Sequence, residues 1–100
     1  MVFLFFKMTV RPEKRKELSQ TLQSIVEQVR KENGCLKSGF FGNSENEHEF
    51  LMLEEWESRE ALDNHLESDI FTVLVGAMGL MERAPEVSVH TVSHSRELAL

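Results

Sequence analysis

The stretch Phe50-Leu51-Met52-Leu53-Glu54-Glu55-Trp56-Glu57-Ser58-Arg59-Glu60-Ala61-Leu62-Asp63-Asn64-His65-Leu66-Glu67-Ser68-Asp69-Ile70-Phe71 changes character twice. Its first seven residues alternate: Phe50, Met52, Glu54 and Trp56 share one face, and Leu51, Leu53 and Glu55 share the other. A two-residue period with β-forming side chains describes a strand, here apolar on both sides. Ser58 then offers a side-chain oxygen to the free amides of a helix start. Ala61, Leu62, His65 and Leu66 follow as an inner stripe at helical spacing. Ser68-Asp69 reads as a second cap, after which Ile70, Phe71, Leu74, Val75 and Met78 restart the pattern. A bent helix or two short helices ending at Gly79 are expected.

Working backwards, this strand is expected to start near His48. The polar run Asn43-Ser44-Glu45-Asn46-Glu47 joins it in a hairpin to a strand over about Cys35 to Gly42. Upstream, Leu18, Leu22, Ile25, Val26 and Val29 mark one face of a helix. Pro12 suits its first position, and Asn33-Gly34 suits a left-handed cap after it. Val2 to Val10 forms the first strand. Working forwards, Leu80 to Glu86, with Pro85, is a connection to a fourth strand at about Val87 to Val92. Ser93 to Leu100 shows no pattern.

The order β-α-β-β-α-β is the ferredoxin-like split βαβ arrangement of the α+β class. Two helical regions cover one face of a four-stranded antiparallel sheet. The other face should be polar if it meets water. Phe3 and Phe5 on the first strand, with the doubly apolar third strand, contradict that. A second copy of the chain is the simplest cover, because two-fold dimers are the commonest oligomers.

One hundred residues suit a single domain, with its core over about 2–92 and a C-terminal tail over 93–100. The net charge of −6 disfavours nucleic acid and anionic membrane surfaces as partners. The basic run Lys14-Arg15-Lys16 sits between Glu13 and Glu17 and reads as a solvated helix face. Val2-Phe3-Leu4-Phe5-Phe6 is too short for a signal peptide or a membrane span, which needs roughly 20 residues. A lone cysteine, Cys35, forms no internal disulfide and fits a reducing, cytoplasmic setting.

Of four histidines, His65 stands out because it lies on an apolar helical stripe. It is either a core histidine bonded to a carbonyl or to Glu54 or Glu55, or the base of a pocket. His48 sits at the hairpin edge. His90 and His94 lie four apart on strand or tail, about 13 Å if extended, too far to share one ion. No metal site is expected. Cys35 has no basic neighbour in sequence and should be inert. No phosphate-binding glycine loop, serine elbow or Cys-x-x-Cys motif is present.

The quoted stretch from Phe50 to Phe71, the Val10-Arg11-Pro12-Glu13-Lys14 turn into a helix, and Glu32-Asn33-Gly34-Cys35 together resemble the antibiotic biosynthesis monooxygenase family of dimeric α+β barrels. The resemblance spans roughly Val2 to Val92. It implies a homodimer whose sheets pack into a barrel, with a small-molecule pocket between sheet and helices in each subunit. It also implies one of several activities, since one fold hosts many functions. Similar members include oxygenases that oxidise quinols or polyketide aromatics with O2 and use no flavin, haem or metal. Other members degrade haem or isomerise small metabolites, and some have no known activity. The haem-degrading members use an Asn, a Trp and a His ligand where this chain has Phe6, His65 and Val75, so that chemistry is not expected.

Cofactor-free oxygenation needs a base and a dry aromatic pocket. The residues expected to supply them are His65 as the catalytic base, with Glu54, Trp56, Phe50, Phe71 and Met78 around a small hydrophobic or aromatic substrate. Glu54 or Glu55 would orient His65, and the other would lie at the dimer rim. The alternatives are a non-catalytic dimeric module for a small hydrophobic ligand, or an isomerase or lyase-like enzyme on the same scaffold.

Overall fold

The computed structural model describes residues 1–100. The doubly apolar strands take the centre of the sheet, where both faces are covered or need cover. Strand β1 (Val2–Thr9) pairs antiparallel with β3 (Asn46–Trp56), from Val2 opposite Trp56 to Thr9 opposite Glu49. On its other side β1 pairs antiparallel with β4 (Glu86–Thr91). Strand β2 (Cys35–Asn43) pairs with the free side of β3, so the order is β2-β3-β1-β4. This is the four-stranded antiparallel split βαβ sheet expected from the element order.

Helix α1 (Arg15–Val29) buries Leu18, Leu22, Ile25, Val26 and Val29 against the inner sheet face. Pro12 opens a 3-10 turn (Pro12–Lys14), and the α-helix begins only at Arg15. Helices α2 (Arg59–Leu66) and α3 (Asp69–Gly76) are separate. Each starts on a serine: Ser58 Oγ accepts from Ala61 N–H at 3.1 Å, and Ser68 Oγ accepts from Phe71 N–H at 3.2 Å. The extended backbone at Ser68 breaks the run. After Gly76 the chain tightens into a 3-10 turn (Ala77–Leu80), so the α-helix ends three residues before Gly79.

The hairpin between β2 and β3 is tighter than its polar run suggests. Pairing continues through Asn43 and Asn46, leaving a turn of Ser44 and Glu45. The Asn side chains make this possible: Asn43 Oδ1 accepts from Glu45 N–H at 2.9 Å and Asn46 Oδ1 from His48 N–H at 3.0 Å.

The inner face of β1 and β3 sends Val2, Leu4, Phe6, Met8, Phe50, Met52 and Trp56 into the core beneath the helices. The outer face carries no helix. There Phe5 is opposite Leu53, and Lys7 is opposite Leu51, which in turn faces Phe41. Phe41 is 54% exposed and Leu51 37%, a large apolar face with no cover within the chain.

Gly34 joins α1 to β2 with φ +86°, and a Cβ built there would lie 2.5 Å from the Ala61 Cβ of α2. Both the left-handed backbone and the close approach demand glycine. Gly34→Ala is expected to cost about 2 kcal/mol or more, lowering the melting midpoint by roughly 10 °C. An unchanged melt would show that this junction relaxes freely.

Candidate active site

Three elements meet beneath the C-terminal end of α2. Strand β3 ends in Glu54-Glu55-Trp56, and alternation sends Glu54 and Trp56 inward and Glu55 outward. The last turn of α2 lowers His65 onto them. The loop after α1 brings Glu32, whose own N–H is held by the Val29 carbonyl at 3.0 Å.

His65 is 1% exposed, and Glu54 and Trp56 are fully buried. The Trp56 ring stacks on the imidazole at 4.6 Å between centroids and 27° between planes. Phe71, at the start of α3, meets it edge-on at 5.5 Å. His65 Nδ1 lies 2.7 Å from Glu32 Oε2, a short charge-assisted hydrogen bond. Nε2 lies 3.0 Å from Glu54 Oε1, but its N–H points off that line, so the contact is an ion pair without a well-aligned hydrogen bond. Glu54 Oε1 also accepts the Trp56 indole N–H at 3.0 Å. Glu54 Oε2 is buried and has no partner in the protein.

Burial pushes the His65 pKa down, but Glu54, and after it Glu32, outweigh that and raise it above its ordinary 6.5. The ring therefore favours the imidazolium form, donating from Nδ1 and facing Glu54 with Nε2. Beside it, Glu54 Oε2 keeps open lone pairs. Glu32, His65 and Glu54 thus form one cluster of contacting ionisable side chains.

Of the residues expected at the site, His65, Glu54, Trp56 and Phe71 come together. Phe50 lies six residues from Trp56 along β3, about 20 Å away, packed edge-on to Phe40. Met78 packs against the core from the 3-10 turn. Glu55 is on the outer face and only 9% exposed. Phe6 is core, 6.2 Å from Phe71 between ring centroids, and Val75 is 45% exposed on α3. Burial first, and then Glu54 and Glu32, lift the Cys35 thiol to about 11, so it stays protonated. No three His, Cys, Asp or Glu side chains gather with metal-binding spacing.

Glu32 is the participant that sequence reasoning did not assign. Its partner is 33 positions away, and its only signal was its place at the head of Glu32-Asn33-Gly34-Cys35.

A family model described as antibiotic biosynthesis monooxygenase matches residues 1–76. YcnE of Bacillus subtilis, a provisionally named monooxygenase, is 33% identical over 91 residues, covering 91% of this chain and 96% of that protein. The uncharacterized protein sll1783 of Synechocystis is 28% identical over 90 residues, covering 89% of this chain. The chain spans only 61% of that relative's length. The crystal structure of a variant of SnoaB from Streptomyces nogalater, described as a cofactor-independent oxygenase, superposes with a TM-score of 0.81 at 12% identity. That superposition covers 94% of each chain and shows a shared fold.

Proposed function

The chain belongs to the antibiotic biosynthesis monooxygenase family, and on that footing we propose that it is a cofactor-independent monooxygenase acting on a small quinol or other electron-rich aromatic. The observation that carries this reading is the Glu32–His65–Glu54 unit, its His65 and Glu54 buried and its imidazole stacked on Trp56. A phenol or quinol must lose its proton before its ring can donate electrons to O2. Glu54 Oε2 is the acceptor open to that proton, and the His65 imidazolium beside it stabilises the charges that form. O2 then adds to a ring carbon that bears hydrogen, giving a hydroperoxide. That carbon loses its hydrogen as a proton as the O–O bond breaks, so it becomes a carbonyl. The outer oxygen leaves as water, and the substrate itself supplies all the electrons. Trp56 and Phe71 keep the unit dry. The fold shared with SnoaB supports the same reading by analogy.

The test is O2 consumption with a panel of quinols, with and without a chelator. Consumption that survives the chelator is expected. No consumption by any quinol that binds would favour the second reading, a module for a small hydrophobic ligand. One feature supports that reading: one face of the His65 ring is stacked on Trp56, Nδ1 is hydrogen-bonded to Glu32, and Nε2 is ion-paired with Glu54.

The same proposal includes a homodimer formed through the outer sheet face. It places the chain in the cytoplasm, consistent with a lone protonated thiol. No helix is long and apolar enough to cross a membrane.

A further inference from the structure

A groove of about 650 Å³ runs between α1 and the edge strand β2, within the size range of small-molecule sites. Nothing in the Glu32–His65–Glu54 cluster lines it directly. Its apolar walls are Val26, Phe40 and Leu53, and its charged groups are Glu27 on α1, Arg30 just beyond the helix, and Lys37 on β2. Arg30 Nε donates to the Ser38 carbonyl at 2.9 Å, which fixes the guanidinium beside the groove. Neither Arg30 nor Lys37 forms an ion pair, although the chain carries a net charge of −6. Two unpaired cations beside an apolar groove are a seat for an anion on an apolar body.

The inner end of the groove supplies a second, independent observation. Ser38 is 7% exposed, and its hydroxyl is buried without a partner. Ser38 stands directly opposite Glu54 in the β2–β3 ladder. Directly opposite residues hold their Cβ atoms about 5 Å apart. Glu54 Oε2 is the other buried oxygen without a partner. Two orphaned polar atoms therefore sit on neighbouring strands, one just beneath the groove on a residue that lines it and the other on Glu54. Buried polar groups in folded proteins are almost always paired, so an exception of this kind marks a place for a hydrogen-bonding guest. A hydroxyl placed there donates to Glu54 Oε2 and accepts from Ser38 O–H.

We infer that the groove is the substrate site, and that its substrate class is a hydroxyaromatic acid. The carboxylate lies against Arg30 and Lys37, the ring lies between Val26 and Phe40, and the hydroxyl lies between Ser38 and Glu54. This rests on the monooxygenase reading, because the hydroxyl so placed is the one to be deprotonated. The groove also reaches round the strand edge to Phe41 and Leu53 of the outer face, so a second copy on that face roofs it.

The experiment is anaerobic calorimetric titration of the full chain with 5-hydroxy-2-naphthoate, 1-naphthol and 2-naphthoate, with amide shifts mapped by NMR. The hydroxy acid is expected to bind at least about tenfold tighter than either analogue. Its shifts are expected to centre on Lys37 to Phe41 and Val26 to Arg30. Lys37→Gln, at a side chain with no ion pair to lose, is expected to weaken the two acids and leave 1-naphthol unchanged. Ser38→Ala is expected to weaken both hydroxy compounds and spare 2-naphthoate. Equal affinity for all three probes, or shifts centred elsewhere, overturns the groove assignment. Tight binding in the groove with no O2 uptake on admitting air overturns the monooxygenase reading instead and leaves the site standing.

Discussion

Replacing His65 with alanine is expected to abolish most turnover and to destabilise the fold by about 3 to 5 kcal/mol. The two effects share a cause. His65 is the only cation facing Glu54, which is fully buried and keeps otherwise only the Trp56 N–H. Removing the ring leaves a carboxylate charge in the core and opens a space between Trp56 and Phe71. Turnover on a substrate from the quinol panel should fall by a factor of about 10² to 10⁴. The melting midpoint should fall by at least roughly 12 °C, at about 4 °C or more per kcal/mol for a domain of this size. His65→Gln fills the space and hydrogen-bonds but carries no charge, so it should regain part of the stability and little of the turnover. Adding Glu54→Gln to His65→Ala should recover stability too, because the stranded charge is gone. Wild-type turnover in His65→Ala would sink the catalytic role. Loss of stability in both single variants, with no substrate found, would favour a purely structural histidine.

The same ring sets a pH dependence. Its native pKa is raised above the 6.5 of the unfolded chain. The stabilisation it contributes is therefore fully present below 6.5 and is lost as pH rises through the raised native value. Urea denaturation of the wild type should show this loss across that window, and His65→Gln should lack it.

Phe5→Asp is expected to convert a dimer to monomers. Phe5 lies at the middle of the central strand β1 on the outer face, opposite Leu53 and Ser88, with Phe3 at 6.1 Å and His90 at 4.9 Å between ring centroids. Polar groups gather toward one end of that face, where Lys7 lies 3.9 Å from both Glu49 and Glu86. An apolar centre with a charged border is the composition of a subunit interface. An aspartate at the centre would be buried there without a partner, costing several kcal/mol of association. At about 4 kcal/mol the dissociation constant rises roughly a thousandfold. Sedimentation at low micromolar concentration should give two chains for the wild type and one for the variant. Phe5 is only half-buried in the single chain, so the variant should keep its far-ultraviolet spectrum. A monomeric wild type at that concentration would remove the basis for the dimer.

Much of the site was legible because it is local. Trp56 and Glu54 share a face by the two-residue period, and His65 lies on a helical stripe, so their meeting follows once α2 folds back on β3. Alternation also required Glu54 and Glu55 to point opposite ways. It did not say which would face inward; the β1–β3 register settled that by placing Glu54 opposite Leu4 in the core. The protonation preference of His65 was open in the sequence, since burial and carboxylates act in opposite directions. The carboxylates outweigh burial, Glu54 first and Glu32 after it, and the pKa rises.

The sequence by itself determined the elements, their order, the caps at Ser58 and Ser68, and the left-handed backbone at Gly34, although the cap of α1 itself is Arg30. These depend on periodicity and on backbone groups within a few residues, which short-range chemistry dictates. It also determined that one sheet face is apolar without cover. The tertiary structure alone decided what touches across the chain. Glu32 closes on His65 over 33 positions, and Ser38 comes to lie opposite Glu54 with Ser38 Oγ and Glu54 Oε2 left unpartnered. No period or spacing encodes such contacts. They arise when β2 joins the edge of the sheet and α1 and α2 pack on one of its faces, where a buried charge is stable only if another element delivers its partner.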